Sequence, residues 1–556
     1  MKKTVKLFSL LLALVMTMTA LSACGSKGDT SSKSEASSKV AESSSSTTDE
    51  SKTDAPETEG AKVDPTAYED TMDLSVAVMT GYTQSDSRIE KMLEEKYNVN
   101  INLVVLPGWS DGQAKISLLM ASGEETPDVM WWWSMDNEFL QWKDAGLLTD
   151  VSTYMNTYTN MRDYYNTMDP KSLYYATEDD GAVYRIPGDV AEPSCETLWI
   201  RQDWLDKLGL EVPTTVEELE AVMQAFTEND PDGNGKKDTY GLGGDGYDFR
   251  SFWPWIQSYG DTHYDKFVVD ADGNIGYGPA KDNTKKWVAD VADLYAKGYI
   301  TPNITQDTNR DEEMAKGGFG VTYSWITWNN PNDPIMKAFY AANPDAKWAP
   351  IEMVTGENKN PQEDPATSGA WAYFGITKNA KDPERIYAIW DDMSSPENYT
   401  ERVFGIEGTD YTIDDGIYNP IVALGSEENQ SQNIGLDLLN NLFNRKDDAL
   451  IVNTPETTAL FENAAKNSRD FAATIVEWKN PASLTAWVES KTDVEDEKNR
   501  YLWGVVAGSE SVDTWDAYIT TLNSLGLENV LTEAQTVYNA EKESLDNYMT
   551  NKVNQK

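Results

Sequence analysis

The sequence has little cysteine, histidine or positive charge, and these shortages exclude several kinds of site. Its 556 residues include two Cys, one His (His263), and 46 Lys and Arg against 93 Asp and Glu. A catalytic Ser-His-Asp or Cys-His site would have to use that one histidine, and a zinc site with several His and Cys ligands is nearly excluded. The formal net charge of −47 disfavours nucleic acids and anionic lipid surfaces as partners, because both repel an acidic protein.

Long hydrophobic runs are also scarce, and the one near the start is typical of an export signal. A mostly apolar run covers residues 7–15 and follows lysines at positions 2, 3 and 6, but it is too short for a permanent membrane span. Residues 21–25 resemble the lipobox of bacterial lipoproteins. That resemblance implies that residues 1–23 are a signal peptide and that Cys24 carries lipid. The alternative is an ordinary cleaved signal beside a chance cysteine.

The next segment is poor in apolar side chains, and we expect it to be a disordered linker. Residues 25–66 are mostly Ser, Thr, Glu, Asp, Lys and Gly, which bury too little surface to offset the entropy of ordering. Residues 24–70 are therefore assigned to the lipidated cysteine and linker. A lipidated Cys24 leaves Cys195 without a partner, so no intrachain disulfide is expected. The predicted location is the extracellular face of the cell membrane, with a soluble body held by its lipid anchor.

Beyond the linker, short apolar runs alternate with helical patterns. This alternation is the βαβ order of a mostly parallel sheet. The strand-like and helical segments are, in order, residues 74–79, 89–97, 101–106, 115–122 and 128–133.

Three consecutive tryptophans end the last of these strands. Ligands of open α/β sheets bind at the carboxyl ends of strands, which makes Trp131, Trp132 and Trp133 candidates for a binding site. Because side chains alternate along a strand, the three cannot share one face. At least one is expected to point to the opposite face or into a cleft.

A second α/β region begins near residue 197, and it carries a family resemblance. Thr215 and Glu218 have the spacing of a capping box at a helix start. Residues 197–210 resemble the extracellular solute-binding proteins of bacterial ABC importers, in particular the carbohydrate-binding group of Gram-positive lipoproteins. The resemblance covers roughly residues 73–545, and other segments contribute to it: residues 145–148, 297–300, 318–321, 381–384, 405–411 and 515–518.

The resemblance implies an α/β, two-lobe fold like that of periplasmic binding proteins, with a hinge and an interlobe ligand cleft. Proline and glycine breaks place the crossings between lobes near residues 188–196 and 360–371. The expected boundaries are residues 71–192 for the first part of lobe 1, 193–362 for the first part of lobe 2, 363–400 for the return to lobe 1, and 401–556 for the rest of lobe 2 with the C-terminal helices.

Sugar binding needs flat apolar faces for pyranose rings and planar polar groups for hydroxyls. Tryptophan supplies such faces, and the candidates are Trp131, Trp132, Trp133, Trp253, Trp255, Trp325, Trp328 and Trp371. The resemblance places a ligand-stacking aromatic near Trp325 and a hydroxyl-binding polar residue at Asp136. For each tryptophan the alternative is packing in a core or at the hinge.

Residues 230–241 have the spacing of an EF-hand-type calcium loop. Gly241 replaces the bidentate Glu of position 12, which disfavours the standard geometry. Some members of the family carry calcium on a similar loop, and we predict one structural Ca²⁺ and no catalytic cofactor. The alternative is a turn without metal. The expected ligands are the side chains of Asp230, Asp232, Asn234 and Asp238 and the carbonyl of Lys236. Residues 270–274 look similar but lack the later ligands, and they predict a hairpin turn.

These features together predict a monomeric substrate-binding lipoprotein of an ABC transporter. It would capture a carbohydrate, most simply an oligosaccharide, and deliver it to membrane permease subunits without cutting it. One alternative is a secreted glycoside hydrolase, which needs two carboxylates facing each other across the scissile bond. Another is a binding protein for a peptide or other non-sugar solute.

Overall fold

The computed structural model describes most of the chain beyond the predicted linker. The described residues are 62, 64–79, 85–168, 170–190, 196–325, 328–329, 334–359, 370–414, 417–422, 427–432, 439 and 474–554. The predicted signal peptide, Cys24, Cys195 and residues 24–61 of the predicted linker lie outside them.

The described residues contain thirteen β-strands: β1 (Met72–Met79), β2 (Val99–Leu106), β3 (Val129–Trp133), β4 (Ile186–Val190), β5 (Glu196–Arg201), β6 (Tyr240–Leu242), β7 (Phe267–Val269), β8 (Ile275–Tyr277), β9 (Phe319–Trp325), β10 (Trp348–Ile351), β11 (Ala370–Ile376), β12 (Tyr411–Asp414) and β13 (Ile417–Pro420). Five form one sheet in the order β2-β1-β3-β11-β4, and four form a second in the order β10-β5-β9-β6. The others pair as β7-β8 and β12-β13.

Helices surround both sheets. In the described part of the chain they are α1 (Arg88–Tyr97), α2 (Trp109–Ser122), α3 (Asp136–Asp144), α4 (Ser152–Thr157), α5 (Asn160–Met168), α6 (Pro170–Ala176), α7 (Gln202–Leu208), α8 (Val216–Glu228), α9 (Trp253–Tyr259), α10 (Asp282–Ala296), α11 (Arg310–Ala315), α12 (Pro334–Ala342), α13 (Pro383–Met393), α14 (Pro396–Phe404), α15 (Glu427–Gln432), α16 (Thr485–Val506), α17 (Trp515–Ser524) and α18 (Leu527–Asn554). No described helix is both long enough and apolar enough to cross a membrane.

The first sheet confirms the predicted βαβ order. Strand β1 pairs in parallel with β2 and β3, and β11 enters antiparallel between β3 and β4. All five residues of β3 are buried, because a central strand of such a sheet is covered on both faces. The three tryptophans therefore alternate between two packed faces. The ring centroids of Trp131 and Trp133 lie 4.8 Å apart, while Trp132 packs edge-on against Trp142 at 5.5 Å.

The second sheet and its surroundings confirm two local predictions. The Thr215 hydroxyl accepts a hydrogen bond from the backbone N–H of Glu218 (3.2 Å), and the Glu218 carboxylate accepts one from the Thr215 N–H, so the capping box starts α8. The predicted hairpin turn joins β7 to β8, which pair antiparallel. These motifs depend on near neighbours in sequence and were therefore visible without the fold.

Between the described strands, the chain passes from the first sheet to the second and later returns to the first. Strand β4 belongs to the first sheet and β5 to the second, while β10 belongs to the second and β11 to the first. Each sheet has its own hydrophobic core, which includes Leu74 and Val129 in one and Leu198 and Val321 in the other. We call the five-stranded sheet with its helices the first lobe and the four-stranded sheet with its helices the second lobe.

Two sets of contacts bear on the expected boundaries, which stay predictions. Asp410, expected in the second lobe, pairs with Arg88 of α1 in the first lobe (Nη2 to Oδ2, 2.6 Å). Residues near 70, expected in the linker, contact α13. Arg385 lies 3.9 Å from the ring centroid of Tyr68 and donates to the carbonyl of Asp70 (3.0 Å). These contacts join residues far apart in sequence, which local composition does not reveal.

Helix α18 contacts both lobes. Its Leu527 and Val530 lie in the core of the second lobe. Further along, the ring of Tyr548 lies 5.6 Å from that of Tyr174 in α6, and the Tyr174 hydroxyl donates to the carbonyl of Glu541 (3.2 Å). With 28 residues, the helix is about 42 Å long, enough to reach from one core to the other.

Candidate functional site

Two adjoining cavities lie where the lobes meet. The larger, which we call the interlobe cavity, has a volume of about 360 Å³, within the range of small-molecule sites. Both lobes contribute to its walls. The first lobe provides Trp132, Ser134, Met135, Asp136, Tyr175, Arg185, Ala370 and Tyr373, and the second provides Asp265, Lys266, Phe267, Val476, Glu477, Trp478, Pro481, Trp487, Lys491 and Glu495.

The smaller space, which we call the side cavity, has a volume of about 310 Å³. It shares Asp136, Tyr175, Arg185 and Pro481 with the interlobe cavity. Its other walls come from α3, α6, α18 and residues 479–483. The shared residues make the two cavities neighbours, so a ligand in one can extend towards the other.

Two tryptophans that the sequence reasoning missed line the interlobe cavity. Trp478 and Trp487 are half-buried, so part of each indole is open to the cavity. Phe267 supports both through edge-on contacts, with ring centroids 5.9 Å from Trp478 and 5.1 Å from Trp487. Trp487 also lies 5.6 Å from Tyr277. The two tryptophans flank Pro481 within ten residues, a local signal that could have placed them on the candidate list.

Asp136 is held by a buried arginine that the sequence reasoning also missed. It is the first residue of α3, and its Oδ1 accepts a hydrogen bond from Nη1 of Arg185 (2.7 Å). Nη2 of Arg185 donates to the Tyr175 carbonyl (2.9 Å), and the guanidinium carbon lies 4.5 and 4.3 Å from the ring centroids of Phe139 and Tyr373. The Asp136 side chain is 40% exposed, and its Oδ2 accepts no hydrogen bond from the described residues. It is thus an oriented acceptor facing the cavities.

The second lobe places another carboxylate on the interlobe cavity. Oδ1 of Asp265 lies 2.9 Å from Nδ1 of His263, which is fully buried. Burial raises the pKa of Asp265, but the neighbouring His263 side chain and the charges of Lys266 and Lys498 outweigh it and lower that pKa. Lys498 is buried in α16, and burial lowers its pKa. The single histidine therefore supports a carboxylate of the cavity wall.

The charged lining is acidic overall. Its cations are Arg185, Lys266, Lys479 and Lys491, and its carboxylates are Asp136, Glu178, Asp179, Asp265, Glu477, Glu495 and Glu541. Nζ of Lys479 lies 2.7 Å from Oδ1 of Asp179, and Nζ of Lys491 lies 3.9 Å from Oε1 of Glu495. The cations of the lining are therefore largely compensated by carboxylates.

Five of the eight predicted tryptophan platforms are sealed in packed regions. Trp255 donates from Nε1 to Glu220 (2.9 Å), and Trp328 donates from Nε1 to Asp311 (2.7 Å). A ring enclosed on all sides offers no face to a sugar, so these five rings pack as core residues in this structure, and their role as sugar platforms stays a prediction. The five are Trp131, Trp133, Trp253, Trp255 and Trp328.

The remaining candidates differ in position. Trp132 reaches the interlobe cavity but is almost entirely buried. Trp325 is 44% exposed at the end of β9 and lines neither cavity. Trp371 lies in β11, but its side chain is outside the described part of the structure. Asp136 lines both cavities, so of the predicted residues it has the position best suited to a ligand contact.

The predicted calcium loop brings its polar side chains towards one amide. Oδ1 of Asp230 accepts from the backbone N–H groups of Gly233 and Asn234 (3.1 Å each). The Asn234 side-chain nitrogen donates to Asp232 (2.6 Å) and Asp238 (3.1 Å). A hydrogen bond with Asp232 lowers the pKa of Asp230, while burial raises that of Asp232. The loop is thus held by hydrogen bonds among its own residues.

The loop also departs from the standard site. Position 12 is occupied by Gly241, which lies inside β6, so the chain continues as a strand where an EF-hand begins its second helix. Lys236 donates its backbone N–H to Oδ1 of Asn234 (2.8 Å). Among the described residues, no three His, Cys, Asp or Glu side chains are close enough together to hold a metal.

Comparison with known proteins decides the family. The model of the bacterial extracellular solute-binding proteins matches residues 80–399, more than half of the chain. The chain belongs to this family. The members of this family are extracellular binding proteins.

Two relatives bind saccharides, as their names state. The fructooligosaccharide ABC transporter substrate-binding protein FusA of Streptococcus pneumoniae is 28% identical over 255 residues, which cover 43% of this chain and 47% of FusA. The polygalacturonan/rhamnogalacturonan-binding protein YtcQ of Bacillus subtilis is 25% identical over 273 residues, 48% of this chain and 52% of YtcQ. This solute-binding protein thus aligns with about half the length of each relative.

Solved structures confirm the two-lobe fold. FusA in complex with kestose is 19% identical, with a TM-score of 0.64 over 85% of this chain and 100% of that structure. An EF-hand mutant of FusA in complex with fructo-nystose gives the same values. At this identity the likeness concerns the fold of the solute-binding protein.

Proposed function

We propose that this protein captures an oligosaccharide in the interlobe cavity. The observation that carries the proposal is the pair of half-buried indoles, Trp478 and Trp487, on one wall and the oriented carboxylate of Asp136 on the other. Indole faces pack against the C–H faces of sugar rings, and a carboxylate accepts hydrogen bonds from hydroxyls. The saccharide relatives FusA and YtcQ support the same ligand class.

Capture would couple ligand binding to movement of the lobes. Because the cavity walls come from both lobes, a ligand touches both at once only when they are close together. Binding then favours the closed arrangement by its differential affinity for the two states. The closed protein would dock on ABC permease subunits and release the saccharide to them. No bond of the sugar is broken in this sequence of events.

The proposed location is the outer face of the cell membrane, with lipid on Cys24 and a monomeric soluble body. The lipobox-like residues 21–25 support this location. Replacing Cys24 with Ala is expected to release the protein from the membrane fraction into the medium. Retention of the Cys24→Ala variant in washed membranes would contradict lipid anchoring.

The function is tested by titrating the Cys24→Ala protein, which lacks the anchor, with neutral and acidic oligosaccharides and with peptides of similar mass. We expect calorimetric binding of a saccharide at one site, and a rise in melting temperature because the ligand binds only the native state. The same mixtures should release no reducing sugar over hours. Peptide binding without saccharide binding, or turnover of a saccharide, would contradict the proposal.

We also infer one structural Ca²⁺ at residues 230–238. Its support is the chemistry of the donors, since Asp230, Asp232 and Asp238 offer only oxygen, the ligand that Ca²⁺ prefers. Asn234 places its amide between two of these carboxylates, and rotation of that amide by 180° would present its oxygen instead. The ion would hold the loop between α8 and β6 and would perform no chemistry.

Calcium binding is tested by melting curves in EGTA and in millimolar CaCl₂. We expect Ca²⁺ to raise the melting temperature of the parent and to have no effect on an Asp230→Asn, Asp232→Asn double variant. The matched control is Asp270→Asn, which changes the similar turn between β7 and β8 and should respond like the parent. A parent curve that is identical in EGTA and CaCl₂ would exclude a structural ion.

A further inference from the structure

The two saccharide relatives leave the charge of the ligand open, because one is named for fructooligosaccharides and the other for polygalacturonan and rhamnogalacturonan. The cavity lining addresses this question directly. We propose that the interlobe cavity selects uncharged saccharides and rejects chains of uronic acids. This inference rests on the proposed function and specifies its ligand class.

The most deeply placed cation of the lining is not available to a ligand carboxylate. Arg185 is only 6% exposed at its side chain, and both of its terminal nitrogens already donate, to Asp136 and to the Tyr175 carbonyl. Its planar group is enclosed by the rings of Phe139 and Tyr373. A carboxylate is usually bound by both donors of an arginine, but here one terminal nitrogen donates to a protein carboxylate and the other to a backbone carbonyl.

The lysines of the lining also stand beside protein carboxylates. Lys479, which lines the neighbouring side cavity, pairs with Asp179 at 2.7 Å and lies 4.8 Å from the ring centroid of Tyr174. Lys491 lies 3.9 Å from Glu495, one turn further along α16. Lys266 follows Asp265 in the chain, and its charge helps to lower the pKa of that carboxyl. Within the described lining, each cation therefore has a carboxylate of its own nearby.

The hydrogen-bonding groups of the lining also favour an uncharged saccharide. A neutral sugar offers a hydroxyl donor at almost every carbon, whereas an ionised uronate adds oxygens that can only accept. Oδ2 of Asp136 is oriented by Arg185 and open to a donor, and Glu495 lines the opposite wall. A ligand carboxylate placed between them would meet like charge in a partly desolvated space, where repulsion is stronger than in water.

The charge of the whole protein adds to this selection. A net charge of −47 creates a negative potential around the cavity mouth, which slows the approach of a polyanion and leaves a neutral sugar unaffected. This part of the effect is screened by salt beyond about 10 Å at 0.1 M ionic strength. The contribution of the lining acts at shorter range and should persist at higher salt.

Arg185 acts as a positioning residue for Asp136. It does not face the ligand as a charge but holds Oδ1 of Asp136, a residue that lines both cavities. Replacement by lysine keeps the charge and loses both the second donor and the stacking between rings. For Arg185→Lys we expect a weaker neutral saccharide complex and no gain in affinity for a uronate.

The experiment uses calorimetry on the Cys24→Ala protein with nystose, maltohexaose, xylohexaose, hexagalacturonate and fully methyl-esterified hexagalacturonate, at 20 and 500 mM NaCl. We expect at least one neutral saccharide to bind, and hexagalacturonate to bind at least tenfold more weakly than the best of them at both salt concentrations. If hexagalacturonate binds as tightly as every neutral probe, the proposed selection by charge is wrong. The proposed function would still stand in that case. Failure of all five probes to bind would refute the proposed function itself.

A variant with fewer carboxylates in the lining separates the effect of the lining on ligand selection from the effect of the protein's net charge. Glu477→Gln with Glu495→Gln removes two carboxylates of the lining, and we expect the affinity ratio of neutral saccharide to hexagalacturonate to fall at least threefold. The control Asp516→Asn removes one exposed carboxylate on α17, outside both linings, and should keep the parent ratio. A ratio that stays the same in the double variant, or that falls equally in the control, would contradict selection by the lining.

Discussion

The tryptophans at the end of β3 and those around Pro481 look alike in sequence but occupy opposite environments. Trp131, Trp132 and Trp133 are buried on both faces of a central strand. Trp478 and Trp487 are half-buried on the wall of the interlobe cavity. The difference teaches that an aromatic run at a strand end marks a site only when one face of the strand stays uncovered. In this protein both faces of β3 are covered.

The largest effect expected from this comparison is on stability. Replacing Trp131 with Ala removes a fully buried ring that packs 4.8 Å from Trp133 and leaves a cavity. We expect the free energy of unfolding, measured by urea titration, to fall by about 3–5 kcal/mol. Trp131→Phe, which keeps an aromatic ring, should lose less than half as much. A loss below 1 kcal/mol for Trp131→Ala would mean that the β3 tryptophans are not core residues.

A smaller effect, on binding rather than stability, is expected at the cavity wall. Trp478→Ala removes an indole face from the interlobe cavity and should weaken the saccharide complex about tenfold, or ~1.4 kcal/mol, in calorimetry. Trp478→Tyr should restore part of the affinity. The unfolding free energy should change less than in Trp131→Ala, because the ring is only half-buried. Equal losses of stability in Trp131→Ala and Trp478→Ala would contradict the difference in burial between the two tryptophans.

The smallest effect expected concerns a charged pair on the cavity wall. The pKa of Asp265 is lowered in the folded protein, so its contribution to stability is present above about pH 4 and is lost as the pH falls towards the folded value. Because the side chain is 39% exposed, screening reduces that contribution to about 0.5–1 kcal/mol.

The measurement is urea unfolding of the parent and of Asp265→Asn at pH 7 and pH 3. We expect the variant to be less stable at pH 7 and the gap to shrink at pH 3. A gap of the same size at both pH values would show that ionisation of Asp265 plays no part.

Local patterns predicted much of the fold. The apolar runs of β1, β2 and β3, the capping box at Thr215 and the turn between β7 and β8 depend on neighbours a few residues apart, and all of them are confirmed. The two-lobe arrangement followed from the family resemblance. The contact between Asp410 and Arg88 was not predicted, because it joins positions 322 residues apart.

The candidate site was less accessible from sequence for the same reason. Its walls combine Asp136, Arg185 and Tyr373 with Phe267 and Trp478, which meet only after both lobes fold and face each other. Asp136 was a candidate because the family resemblance places a hydroxyl-binding polar residue just past the tryptophan run. Arg185 was missed because nothing near it in the chain reveals its contact with a residue 49 positions earlier.

The C-terminal helix α18 contacts both lobes. Leu527 lies in the core of the second lobe, and Tyr548 contacts Tyr174 in the first lobe. A change in the angle between the lobes must therefore bend α18, shift it along one lobe, or separate Tyr548 from Tyr174. If the lobes move as proposed, the contacts of α18 with one of them must therefore change together with those of the cavity.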